Sequence, residues 1–114
     1  MNERDKIRIL HINEAIDFIL THTKENYENT LINDLVLRFA IERQLEIIGE
    51  AVGYLSDELK DRYSETEWNK IKQFRNFLAH EYFGIDYALV WDIVIHKIPA
   101  LKVVIAKIIQ ENKY

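Results

Sequence analysis

Ser64-Glu65-Thr66-Glu67-Trp68-Asn69-Lys70-Ile71-Lys72-Gln73-Phe74-Arg75-Asn76-Phe77-Leu78-Ala79-His80-Glu81-Tyr82-Phe83-Gly84 is a helix whose two ends are written into its own sequence. Ser64 and Glu67 have the spacing of a capping box, in which a hydroxyl and a carboxylate satisfy each other's free backbone N–H groups. Trp68, Ile71, Phe74 and Leu78 recur at helical spacing and define one apolar face. Gly84 suits a helix terminus, so the helix is expected to end between Glu81 and Gly84.

The same pattern extends outward in both directions. A first helix is expected from about Arg4 to about Tyr27, with Ile7, Leu10, Glu14, Phe18 and Ile19 as its stripe. The polar run Asn26-Tyr27-Glu28-Asn29-Thr30 reads as a loop. Asn33 or Asp34 then caps a second helix running through Leu45, Ile48, Val52 and Leu55 to about Leu59. Gly49 inside that helix costs about 1 kcal/mol against Ala, and close packing of a neighbouring helix is the expected compensation. Beyond Gly84, Asp86 can cap a fourth helix from Tyr87. Pro99 would either kink that helix or occupy the first turn of a fifth, and a break is expected near His96 to Ile98. A last helix then buries Leu101, Val104, Ile105, Ile108 and Ile109. The expected architecture is all-α, an up-and-down bundle of four to five helices with short connections, in one domain over residues 1–114.

Composition agrees with this and excludes several classes. Of 114 residues, 48% are hydrophobic and 30% charged, the balance of a globular chain. Three Gly and one Pro are too few for the turns of a β-rich fold. The chain has no cysteine, which removes disulfides and thiolate metal sites. The N-terminus is charged and no apolar run reaches membrane-spanning length, so a soluble cytoplasmic protein without membrane contact is expected. The net charge of −4 is unlike that of a general nucleic-acid binder. Any RNA chemistry therefore needs positive charge concentrated in one place.

The segment from Phe74 to Gly84 offers such a place. Arg75 and Tyr82 share a helical stripe. Asn76 and His80, four apart, stack on another side, where the Asn amide can fix the imidazole tautomer. Arg75 and His80 lie about 140° apart on an ideal helix. Either the helix ends before His80, or two copies of the segment face each other across a dimer, with Lys70 and Lys72 adding to a basic cleft. Strand cleavage through the RNA 2′-hydroxyl needs a general base, a role suited to His. It also needs a fixed cation beside the phosphate, which Arg supplies as a planar fork of donors. Neither metal nor cofactor enters this scheme. Spacing alone favours a structural role, with Arg75 paired to a carboxylate, His80 at a helix end and Tyr82 packed.

Arg75-Asn76-Phe77-Leu78-Ala79-His80-Glu81-Tyr82 resembles the Arg-x4-His-x-Tyr signature of the HEPN superfamily, including the polar residue directly after the Arg. Met1-Asn2-Glu3-Arg4-Asp5, His11-Ile12, Glu14-Ala15-Ile16, Glu46-Ile47-Ile48-Gly49-Glu50-Ala51, Trp68-Asn69-Lys70-Ile71, Tyr82-Phe83-Gly84-Ile85-Asp86 and Val90-Trp91 are similar, in order, to HepT-like members. The resemblance implies an all-α homodimer whose paired motifs form an interfacial cleft with metal-independent endoribonuclease toxin activity. It further implies a minimal nucleotidyltransferase (MNT) antitoxin as partner, which in some pairs AMPylates the motif Tyr. On this basis Arg75 and His80 are catalytic, Asn76 and Tyr82 support them, and Tyr82 is the candidate modification site. An adenylate there would fill the cleft and cancel its positive charge.

Other residues read more plainly. His11 and His22 are separated by roughly 16 Å of helical rise and cannot share a metal. His96 is a helix-end residue. Glu46 and Glu50 with Arg43 suggest a solvated, salt-bridged face, with Glu50 alternatively holding Arg75. Trp68 and Trp91 are anchors of the core or of a dimer interface. Two other functions fit the same chain: a non-catalytic helical module that binds and regulates a partner nucleotidyltransferase, and an inhibitor of a toxic nucleotidyltransferase.

Overall fold

In the computed structural model, residues 2–23, 28–80 and 84–114 are described. Their helices are α1 (Glu3–Thr23), α2 (Glu28–Asn33), α3 (Leu35–Gly53), α4 (Asp57–Arg62), α5 (Trp68–His80), α6 (Tyr87–Asp92) and α7 (Ile98–Asn112), with a π-helical stretch Ile93–Lys97 joining the last two. Four long rods (α1, α3, α5 and the continuous run from α6 to α7) carry the bundle, and α2 and α4 are short links. α3 packs against both α1 and α5, and α7 lies along α1. No helix among the described residues is long and apolar enough to cross a membrane.

The expected stripe on α1 holds at Ile19, which lies in the core, and at Phe18, which packs against it, and is corrected at Ile7, Leu10 and Glu14. Ile9, Ile12, Ala15, Ile16 and Ile19 face the core, whereas Ile7 and Leu10 remain 49% and 37% exposed. The alternative face would have buried Glu14, and an unpaired carboxylate is costly to remove from water. The chosen face buries Asp5 instead, which has partners waiting. Its carboxylate accepts from the Ser56 N–H at 2.9 Å and from the Ser56 hydroxyl at 2.6 Å. The same Ser56 hydroxyl accepts from the Leu59 N–H and caps α4. A part-buried cluster around the Asp5 carboxylate thus staples the start of α1 to the joint between α3 and α4.

That joint also replaces the long second helix expected from the pattern. α3 ends at Gly53, and α4 restarts under the Ser56 cap. Upstream, Asp34 rather than Asn33 is the N-cap, accepting from the Leu37 N–H. Residues 28–33, partly expected as loop, form α2; Asn26 and Tyr27 lie outside the described residues.

The capping box at Ser64 is a second correction. α5 starts at Trp68, and the Glu67 carbonyl receives the first helical N–H groups, from Lys70 and Ile71. Ser64 sits in the turn before it, three places ahead of the cap position that Glu67 occupies. The Trp68 indole N–H donates to the Tyr63 carbonyl at 3.1 Å and anchors this turn in the core. Leu78 is buried, and Ile71 and Phe74 pack half-buried against the core, so the expected face of α5 is the observed one.

Pro99 does occupy the first turn of the last helix, but the rod widens before it instead of breaking. The Ile98 N–H reaches back five residues to the Ile93 carbonyl. A π-turn absorbs the proline ring and its missing donor without ending the rod. Val94, Ile98, Leu101, Ile105 and Ile108 consequently stay buried on one continuous face.

α6 is held from two sides. Asp86 caps it through the Ala88 N–H at 2.9 Å. Tyr87 hydrogen-bonds the buried Glu42 of α3, and the Arg38 guanidinium lies 4.8 Å over the Tyr87 ring while donating to the Ile32 carbonyl at 3.1 Å. Burial pushes the Glu42 carboxyl above the usual carboxylate range, against the opposing pull of Tyr87 and Arg38. This cluster ties α2, α3 and α6 together just downstream of Gly84.

Candidate active site

Arg75 occupies the contact between α3 and α5, and Gly49 is the reason it can. A Cβ built on Gly49 would stand 2.1 Å from the Arg75 Cβ, 2.8 Å from its Cγ and 3.2 Å from the Ile71 carbonyl oxygen. Only a residue without a side chain lets the α5 backbone come this close. The close packing expected at Gly49 is therefore present, and its neighbour is the candidate catalytic arginine.

A shallow cavity of about 260 Å³ opens beside this contact, lined by Gly49, Glu50, Gly53, Tyr54, Lys72, Arg75 and Asn76. Lys72 stands one turn before Arg75 on the same face of α5. Arg75 Nη1 donates to Asn76 Oδ1 at 3.1 Å, so the amide braces the guanidinium and leaves other donors of its fork for a ligand. The expected Asn76–His80 contact is not formed: the Asn76 oxygen is turned to Arg75. Glu50 shares the cavity with Arg75, yet among the described residues the two form no ion pair.

Lys70 does not join this cavity. It pairs with Glu67 at 2.6 Å on an exposed face, and that pairing lowers the Glu67 carboxyl and raises the Lys70 ammonium. The positive charge at the groove comes from Lys72 and Arg75, with Arg8 of α1 close by, its guanidinium 4.4 Å over the Tyr54 ring. Arg8 and Tyr54 were not legible as site residues. The one available signal was Gly49-x3-Gly53 directly before Tyr54, two small residues on one helical face.

His80 is the last residue of α5, solvent-exposed and without a hydrogen-bond partner among the described residues. The helix persists through it, so the first of the two geometric alternatives, a helix ending before His80, does not hold. Tyr82 lies outside the described residues.

Residues 12–108 match the ribonuclease HepT-like family. The chain belongs to that family. Relatives of this HepT-like chain span nearly its whole length. It is 38% identical over 103 residues to "Putative RNase MJ1380" of Methanocaldococcus jannaschii, covering 90% of this chain and 94% of the relative. It is 36% identical to "Putative RNase TTE0752" of Caldanaerobacter subterraneus subsp. tengcongensis, over 90% and 92% of the two chains. It is 35% identical to "Probable ribonuclease HepT" of Thermococcus cleftensis, over 90% and 93%. No solved structure matches the chain at a significant level.

The remaining candidates take structural places in this HepT-like fold. Arg43 and Glu46 form an exposed ion pair at 3.2 Å, as expected for a salt-bridged face. His11 is exposed, and the His22 ring lies 4.3 Å from that of Phe18. His96, expected at a helix end, lies instead inside the continuous rod, in the π-helical stretch, and approaches Asp92 at the end of α6 at 3.7 Å. Trp68 is buried and Trp91 packs half-buried against the core.

Proposed function

We propose that this protein is a metal-independent endoribonuclease toxin that cuts RNA in a cleft built by two copies of α5, with Arg75 and His80 as its catalytic pair. The observation that carries this reading is an α5 that stays helical through His80 while Arg75 faces the α3–α5 groove and His80 the solvent. Residues five apart on one helix diverge by about 140°, so the arginine of one copy and the histidine of the other are the natural pair to flank a single phosphodiester. A symmetric dimer makes two such pairs.

In this scheme the His80 imidazole takes the proton of the ribose 2′-hydroxyl. The 2′-oxygen then bonds to phosphorus, and the bond from phosphorus to the 5′-oxygen breaks, the departing oxygen gaining a proton. Arg75, braced by Asn76, holds the charge that develops on the non-bridging oxygens. DNA lacks the attacking hydroxyl and is inert. A neighbouring nucleotidyltransferase neutralises the toxin in the cytoplasm, with Tyr82 as the site of adenylate attachment.

The test is cleavage of RNA by the purified protein with chelator present. His80→Ala and Arg75→Ala are expected to abolish cutting while far-UV circular dichroism stays unchanged. Equal cutting by wild type and His80→Ala overturns the catalytic assignment. Co-expression with the partner nucleotidyltransferase followed by intact mass is expected to show one adenylate per chain, lost in Tyr82→Phe. Co-purification with that partner and no RNase activity under any condition would support the non-catalytic binding module instead.

A further inference from the structure

The groove beside Arg75 contains more than the motif requires. Its far end is closed by Tyr54, the residue that caps α3, and the Tyr54 side chain remains 54% exposed although Arg8 covers its ring at 4.4 Å. The surface left open is therefore an aromatic face or edge with a guanidinium stacked behind it. Lys72, Arg75 and Asn76 line the groove from α5, and Gly49 and Gly53 line it from α3 without adding a side chain. Lys72 and Arg75 outnumber the one acidic group of the lining, Glu50.

An aromatic ring and two cations beside two bare glycines is a chemistry that suits an unpaired nucleotide. Bases stack on exposed aromatic rings whatever their identity, and cationic side chains follow the backbone. A base held in a duplex has no free face to offer, so the strand must be single. A volume of about 260 Å³ lies just under the roughly 300–1,000 Å³ of pockets that enclose a whole small ligand. It fits one unit of a longer chain.

We propose that the α3–α5 groove is a nucleotide subsite for single-stranded RNA, in which Tyr54 stacks on a base next to the scissile position and Lys72 grips the adjoining phosphate. The subsite rests on the ribonuclease reading for its place beside the scissile bond, but its binding is measurable without cleavage. Arg8 is a positioning residue: it holds the Tyr54 ring and touches no RNA.

The experiment measures the Kd of His80→Ala protein for a fluorescent single-stranded oligoribonucleotide of about 8 nucleotides. Adding Tyr54→Ala is expected to weaken binding roughly 10-fold, while Tyr54→Phe leaves it within about twofold of the parent. Lys72→Ala is expected to reduce the salt dependence of log K by about 0.7, the contribution of one phosphate of a single strand. Gly53→Gln separates binding from folding. A Cβ at Gly53 meets Lys72 Cε at 3.8 Å and Cδ at 3.9 Å, ordinary contacts, and Gln is the better helix former. This variant is expected to melt at or above the parent temperature yet bind at least 10-fold more weakly, because its side chain fills the groove. Unchanged Kd in both Tyr54→Ala and Gly53→Gln, or no binding by the parent, overturns the subsite. RNA cutting by the wild-type chain with those unchanged Kd values sinks the subsite alone. The expected binding pattern without any cutting sinks the nuclease reading and leaves the groove an RNA-binding site.

Discussion

Replacing Gly49 by Ala adds one carbon at the point where α3 and α5 are closest, and the structure sets its consequence. That carbon would lie 2.1 Å from the Arg75 Cβ, whereas non-bonded carbons settle at about 3.5–4.0 Å. The conflict is with the first carbon of a side chain, which cannot swing away, so α5 itself must retreat by about 1.5 Å. Overpacking of this kind costs about 1–3 kcal/mol, and the better helix propensity of Ala returns about 1 kcal/mol. A net loss of up to about 2 kcal/mol is expected, a fall in melting temperature of up to roughly 8 °C for a domain of this size. Because the displaced residue is Arg75, RNA cleavage should fall further than stability, by roughly 100-fold for a shift near 1 Å. The matched control is Gly53→Ala, four residues along the same helix, where the new carbon meets nothing closer than 3.8 Å and stability should rise by up to about 1 kcal/mol. Thermal unfolding followed at the helical circular dichroism band, with cleavage rates measured well below the melting point, checks both. A Gly49→Ala protein that melts at or above wild type and cuts RNA at full rate refutes the claim that this contact positions the arginine.

Asp5→Ala strands the Ser56 N–H and hydroxyl beneath α1 and is expected to destabilise the fold by about 3 kcal/mol, measured by urea unfolding; a loss under 1 kcal/mol would mean that water replaces the carboxylate. Glu42→Gln tests the buried carboxyl at the α3–α6 junction. Burial raises its folded pKa above the ordinary 4.5, so the folded state favours the protonated form, and wild-type stability is lost as pH rises through the folded value. The Gln variant should therefore be more stable than wild type at neutral pH, with the difference closing below about pH 4.5; a difference that does not vary with pH counts against this. Tyr63→Phe removes a hydroxyl that donates to Glu111 at 2.7 Å and accepts from Asn112 at 3.1 Å, tying the turn before α5 to the end of α7. A loss of about 1 kcal/mol is expected from its denaturation midpoint.

Much of the helical order could be read directly because the signals are local. The caps at Asp34 and Asp86, the apolar face of α5 and the buried run from Val94 to Ile108 each depend on residues within a turn or two of one another. The errors arose where two local solutions compete. α1 carries two apolar stripes, and the choice between them depended on Ser56, 51 residues away, offering donors to Asp5. Ser64 matched a capping pattern, but Trp68 buried its indole against the Tyr63 carbonyl and set the start of α5 later. Pro99 announces a disruption of the α-helix, and whether that becomes a break or a π-turn is decided by the core contacts on either side, which here keep the rod continuous.

The order of residues alone determined that the chain is a helical bundle of the HepT-like kind and that Arg75, Asn76, His80 and Tyr82 stand together in one motif, since periodicity, capping and motif spacing are properties of neighbours along the chain. Tertiary structure decided what surrounds Arg75: Gly49 pressed against its stem, Asn76 turned to it rather than to His80, Lys72 beside it, Lys70 drawn off to Glu67, and Tyr54 with Arg8 at the end of a groove. Those relations join residues of three different helices, and only the packing of α1, α3 and α5 around the interior brings them within reach of one another.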